Sequence, residues 1–199
     1  MSTTVRVTEQ PISALFTDRW SPRSFTSETI SDAELLRLLE AARWAPSAFN
    51  NQPWRFVYVL RDSPEWAAVH GALIEFNQMW TAHAAALVVV LSKETLVSPQ
   101  TGAFQANPSH AFDAGAAWMS VALEATASGW STHAMTGLDF ARMREAIGAS
   151  EGFAIDAAFA VGRRGPADVL PDMLKAREAP SPRKPLAAIA AAGRFQFSE

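Results

Sequence analysis

Apolar residues recur at helical spacing in Leu35, Leu38, Leu39 and Ala42, directly after Ser31-Asp32-Ala33-Glu34. A serine followed three residues later by glutamate satisfies two free backbone N–H groups reciprocally, so a helix starts there, and Pro46 stops it. A shorter helical face, Ile12, Leu15 and Phe16, lies within Pro11 to Arg19 and ends at Arg-Trp-Ser-Pro-Arg. Trp54 to Leu60 alternates aromatic and β-branched residues and reads as a strand, and Pro64 to Phe76 reads as a helix. The continuous apolar run Ala86 to Leu91 suits a strand buried on both faces. Between Ser92 and Ser109 prolines, a glycine and polar residues interrupt the pattern, which predicts a mobile loop able to cover a site.

Ser109 to Ser128 is apolar on most sides and rich in small residues, a helix central to its own domain or packed on another subunit, with Gly129 as its stop. Trp130 to Met135 and Phe153 to Val161 predict two more strands, with a helix at Phe140 to Ile147 between them. Such alternation predicts an α+β sandwich. The last stretch, residues 166–199, is proline-rich and lacks amphipathic order until Pro185 to Ala192, where alanines 187–192 predict plain helix. A tail of this kind needs something to dock on.

Composition narrows the picture. Over 199 residues, 49% are hydrophobic and 19% charged, enough apolar surface for one globular domain spanning 1–199 and too little charge for wholesale disorder. A net charge of −3 with scattered basic residues argues against nucleic-acid binding. The absence of cysteine removes disulfides and thiolate chemistry, so redox work requires a cofactor. Neither Met1 to Gln10 nor Ala84 to Leu91 resembles a signal peptide or a membrane span, which places the protein in the cytoplasm away from membranes.

Two segments carry chemistry. In Asp18-Arg19-Trp20-Ser21-Pro22-Arg23-Ser24-Phe25, two guanidinium forks flank a hydroxyl, a donor set that converges on phosphate oxygens; in isolation the same pattern suits a solvated turn. In Ala45-Pro46-Ser47-Ala48-Phe49-Asn50-Asn51-Gln52-Pro53-Trp54, amides and a hydroxyl are held between prolines, an arrangement suited to a flat ring with many acceptors. Phosphate plus a polar ring means a nucleotide-like cofactor. The four histidines show no metal-ligand spacing, and hydrolase, Walker and dinucleotide fingerprints are absent. Trp44, Trp54 and Trp118 read as core.

In this order the two segments resemble the start of the FMN-dependent nitroreductase family. The resemblance runs from about Phe16 to Phe197. It implies a three-layer sandwich with a central, mainly antiparallel sheet flanked by helices, in an intertwined homodimer whose C-terminal tail (about 166–199) crosses onto the partner. The implied cofactor is FMN, reduced by NADH or NADPH and reoxidised by a small electron-poor acceptor such as a nitroaromatic or quinone. No side chain is implied as an acid or base, since the reaction runs at the flavin. The alternatives are a flavin-binding carrier or sensor without turnover and a flavin-consuming member of the same superfamily.

The resemblance carries over residue by residue. Arg19, Trp20, Ser21 and Arg23 match the phosphate grip. Pro46, Ser47, Ala48, Asn50 and Gln52 match the segment that reaches the partner's flavin, with Ala48 where a second serine is common. Asn77 matches a flavin-contacting asparagine, although it also suits a helix C-cap, and Trp80 stands where the family places a flavin-contacting lysine, so the resemblance implies that Trp80, like Trp20, touches the cofactor pocket. Met135, Thr136 and Gly137 match the segment under the flavin, where Gly137 permits close approach and the main chain supplies a donor. Arg183 and Lys184 match the basic element closing on the phosphate.

Overall fold

The computed structural model describes residues 6–197; residues 1–5 and 198–199, part of the predicted 1–199 domain, lie outside the described residues. Its centre is a four-stranded sheet of β1 (Trp54–Leu60), β2 (Ala86–Lys93), β5 (Ser131–Met135) and β6 (Phe153–Gly162), in the spatial order β1-β2-β6-β5. Every neighbouring pair is antiparallel. β2 is buried along nearly its whole length. Its alternate residues feed two cores: Leu87, Val89 and Leu91 face one layer, and Ala86, Val88 and Val90 face the other.

On the second side, α2 (Asp32–Arg43) and α5 (His110–Ala127) cover the sheet with Leu35, Leu38, Ala117 and Val121. On the first side lie α3 (Trp66–Gly71), α4 (Glu75–Thr81), α6 (Phe140–Ile147) and α7 (Asp172–Lys175), supplying Val69, Trp80, Met143 and Leu174. This is the predicted three-layer α+β sandwich. α2 carries the predicted capping box: Glu34 N–H donates to the Ser31 hydroxyl, and Ser31 N–H donates back to the Glu34 carboxylate at 3.0 Å. α1 (Ala14–Asp18) is a single short turn ahead of the arginine loop.

Four expectations need correction. The helix predicted over Pro64 to Phe76 is two helices, α3 and α4, because the intervening Leu73 pairs with Leu138 as a β-bridge and Ile74 N–H donates to the Gly137 carbonyl. The 92–109 segment is not structureless: β3 (Thr95–Val97) and β4 (Phe104–Ala106) form a hairpin. The alanine-rich 187–192 stretch holds only a 3₁₀ turn, Leu186–Ala188, since alanine propensity without a packed face does not sustain a helix. Trp44 is 75% exposed rather than core. Among the described residues, no helix is long and apolar enough to cross a membrane.

Candidate functional site

Where α1 ends, Arg19 Nη1 donates to Ser21 Oγ at 3.2 Å, and Arg6 Nη1 donates to the carbonyl oxygens of Thr17 and Arg19. Arg19, Ser21 and Arg23 then line a cavity of about 450 Å³ together with Arg6, Arg177 and Arg183. These guanidinium groups depress one another. Arg19 is lowered first by burial and then by Arg6 and Arg183, and Arg23 first by burial and then by Arg177. The carboxylate beside them, Glu178, is committed to the backbone: its Oε1 accepts from the Arg23 and Ser24 N–H groups, both at 2.9 Å. Among the described residues, buried Arg23 Nε has no partner. Crowded arginines, only partly offset by Glu178, with an unpartnered buried donor form a site for a multiply charged anion. The tail supplies half of it through Arg177 and Arg183, anchored by Glu178. Lys184 lines a neighbouring cavity of about 560 Å³ instead, between the tail and the segment Arg6 to Thr17.

The Pro46–Gln52 segment is a strained loop. Phe49, Asn50 and Gln52 all have positive φ (53°, 52° and 48°) although none is glycine. Conformations of this kind cost about 1–2 kcal/mol each and persist only where their surroundings enforce them. Two bonds do so: Gln52 N–H donates to Ser47 Oγ at 3.0 Å, and Ala48 N–H donates to Asp113 Oδ2 at 3.2 Å. Asp113, on α5 and 3% exposed, also accepts from the Ser109 hydroxyl. Asn50 and Gln52 are exposed. The loop feeds β1, whereas the arginine cavity borders β5, the opposite edge of the sheet. Three inter-strand spacings, plus the offset along the strands, put Trp54 and His133 roughly 20 Å apart. The two halves of the sequence motif therefore do not meet within one protomer.

Asn77 is the third residue of α4 and not a C-cap. Its Nδ2 donates to the Gly137 carbonyl at 2.8 Å and its Oδ1 accepts from Trp80 Nε1 at 3.2 Å. Trp80 is correspondingly 1% exposed, packed among Phe25, His133 and the core, and does not line the arginine cavity as expected of it. Its apolar bulk and its satisfied N–H both favour that interior position. Trp20, by contrast, does line the cavity. At Gly137 a Cβ would lie 2.6 Å from Asn77 Nδ2 and 2.7 Å from Ile74 Cδ1, so the close approach that demands glycine is to α4. Thr136, beside it, is exposed, and Met135 is buried at the end of β5.

Sequence reasoning missed His133, which lines the cavity with its Nδ1 3.0 Å from the Pro22 carbonyl oxygen. The available signal was strand alternation: in β5, His133 shares a face with Met135. Arg6, Arg177, Glu178 and Asp113 were also missed, having no local motif.

Comparison with known proteins places the chain by sequence and by fold. A sequence model of the nitroreductase family matches residues 16–78 and 62–163. A crystal structure of an oxidoreductase containing FMN is 41% identical, covers 100% of both chains and superposes with a TM-score of 0.94. A nitroreductase family protein from Clostridium difficile, 17% identical over 94% of this chain and 100% of its own, has a TM-score of 0.70 and shows the likeness of fold alone. An oxygen-insensitive NADPH nitroreductase from Helicobacter acinonychis is 36% identical over 95 residues, 47% of this chain and 44% of its own. A Streptomyces coelicolor relative is 44% identical over 54 residues, so the chain spans about a quarter of that relative (27%). With the family match running from the middle of α1 to the first residue after β6, on this sandwich, the chain belongs to the nitroreductase family.

Proposed function

We propose that the protein is an FMN-dependent oxidoreductase that uses NADH or NADPH to reduce small, flat, electron-poor acceptors such as nitroaromatics and quinones. The observation that carries this reading is the arginine cavity with its orphaned Arg23 Nε, whose donor set fits a phosphate monoester. The full-length likeness to an FMN-containing oxidoreductase supports the choice of flavin. Bound FMN would supply the redox chemistry, taking hydride from the nicotinamide and passing electrons to the acceptor. The chain's own residues position it. Arg19, Ser21 and Arg23 grip the phosphate while Arg183 closes from the tail. Asn77 and the Ile74 N–H together fix the Gly137 carbonyl, which sets the orientation of the Thr136–Gly137 turn, whose main chain would face bound FMN in this reading.

Because the 46–52 loop and the arginine cavity lie on opposite sheet edges, a second copy completes the site in this reading. Pro46, Ser47, Ala48, Asn50 and Gln52 then serve the neighbour's flavin, and the tail braces the partner. The reaction belongs in the cytoplasm, where reduced nicotinamide is supplied. A non-catalytic flavin carrier draws its support from Trp80 standing in place of a basic residue, and reduction of the bound flavin by a nicotinamide separates the two readings.

The test is spectroscopic. Protein loaded with FMN should be yellow, and anaerobic NADH or NADPH should bleach it within the mixing time of a stopped-flow experiment. A protein that takes up no FMN, or holds FMN that neither nucleotide reduces, contradicts the reading. Sedimentation of the loaded protein checks the second copy, which a tight-binding monomer at micromolar concentration excludes.

A further inference from the structure

His133 sits in the floor of the arginine cavity, and nothing in the phosphate grip described above accounts for an imidazole there. A carbonyl oxygen only accepts, so the contact with Pro22 requires that Nδ1 carry the hydrogen; in the neutral ring Nε2 is then a bare lone pair. The ring packs on Trp80 with centroids 4.5 Å apart, and the Arg23 guanidinium lies 6.0 Å from the same indole. Arg19 and Arg23 face it from the loop, Arg6 from the N-terminal segment, and Arg177 and Arg183 from the tail, while Glu178 is held by backbone N–H groups. Burial is the main cause holding His133 down to about 4, with Arg23 and Arg19 adding to it, against the carbonyl groups of Pro22 and Ser21, which favour the charged ring. Burial keeps the ring neutral and the nearby cations add to it, so an anion that pairs with those cations removes the part of the cost that they contribute, while the Pro22 and Ser21 carbonyl groups already favour the charged ring.

We propose that His133 is a positioning residue of the phosphate site that takes up a proton from solvent at Nε2 when a phosphate dianion pairs with Arg19 and Arg23. This rests on the phosphate reading above. In the empty cavity the neutral ring holds the Ser21-Pro22-Arg23 turn through one N–H. With the anion seated, the arginines no longer repel charge on the ring, the dianion attracts it, and the imidazolium gains a second N–H. Ligand retention and loop rigidity then rise together, and binding consumes a proton.

Imidazole ¹⁵N NMR tests this on the whole protein, as the FMN complex, after FMN removal, and with inorganic phosphate as the probe. His133→Gln, which keeps a donor for the Pro22 carbonyl, identifies the signal. In the stripped protein at pH 6, a ring titrating at about 4 is roughly 1% charged. In the FMN complex at the same pH we expect the charged fraction reported by Nε2 to rise about tenfold, since the anion offsets the arginines while burial remains. Calorimetric titration in two buffers of different ionisation enthalpy should show proton uptake on binding that is reduced in His133→Gln, the phosphate's own ionisation being common to both. Stoichiometric FMN binding with a His133 ring that stays neutral from pH 5 to 7 overturns the proposal and leaves the phosphate reading standing. A wild-type protein that binds neither FMN nor phosphate overturns both. The NMR comparison uses wild-type protein, so it decides even where the variant does not fold.

Discussion

Replacing Trp80 with phenylalanine separates a packing role from a cofactor role. The substitution removes the indole N–H that Asn77 Oδ1 accepts and leaves a buried acceptor unpaired. An orphaned acceptor of this kind costs about 1–3 kcal/mol. The smaller ring also vacates space among Phe25, His133 and the core around a side chain that is 1% exposed, for about another 1–2 kcal/mol of lost burial and residual cavity. The expected loss is therefore about 2–5 kcal/mol, or a fall of roughly 4–20 °C in Tm for a domain of this size. Urea unfolding of wild type and variant at one protein concentration and one FMN loading measures it, since both shift apparent stability by mass action. The flavin reduction potential should move by less than about 15 mV, half of the 30 mV that corresponds to 1.4 kcal/mol in a two-electron couple. A variant of wild-type stability whose potential shifts by tens of millivolts would refute the reasoning and put Trp80 against the flavin.

Arg23→Ala should weaken FMN retention about ten- to a hundredfold, from the loss of a charge-assisted contact worth roughly 1.5–3 kcal/mol, with Arg183→Ala falling nearer the lower figure because Arg183 is exposed; full FMN content in the dialysed double variant contradicts the assignment. Asp156 is the unpaired residue at the bulge where the β2–β6 register shifts, and burial raises its carboxyl above 3.8, partly offset by the Ser92 hydroxyl and His110. Because the folded value lies above the unfolded one, its contribution is present at low pH and is lost as pH rises through the raised value, so Asp156→Asn should gain in Tm relative to wild type more at pH 7 than at pH 3; an equal difference at both pH values contradicts this. Asp113→Ala removes the acceptor for Ala48 N–H, and hydrogen exchange across 46–52 should accelerate by about tenfold or more, with unchanged exchange showing that the loop holds its shape without it.

Legibility from sequence tracked how local the determining interaction is. The α2 capping box, β1 and the doubly buried β2 rest on neighbours within a few residues or on an unbroken apolar run, and each lies within two residues of the expected bounds. The break between α3 and α4 is invisible locally because it is imposed by Leu138, sixty-five residues downstream of Leu73 by the numbering of their bridge. The site divides in the same way. Arg19, Ser21 and Arg23 are contiguous and readable as an anion grip, whereas Arg6, Arg177 and His133 join them only because the tail, the N-terminal segment and β5 converge. Trp80 was misplaced by a motif position that carries no information about which way α4 turns its face.

The 46–52 loop is the surface that a second copy would stabilise in the proposed assembly. Its left-handed residues cost free energy, and the bonds from Ser47 and Asp113 hold the shape without giving it contacts. On the outer side, Phe49 is 68% exposed, Trp44 75%, and Phe112, adjacent to the Asp113 that anchors the loop, 82%. Each such side chain gains about 1.5–3 kcal/mol when fully buried. Covering these three aromatics offsets the strain of the loop and leaves a surplus for association. A surface that becomes favourable only when a second copy covers it would place the 46–52 amides against a partner, and in the proposed site that partner brings the arginine cavity. Flavin occupancy and self-association would then share one free-energy source, so weakening the aromatic contacts at Phe49 or Phe112 should release FMN without touching any arginine.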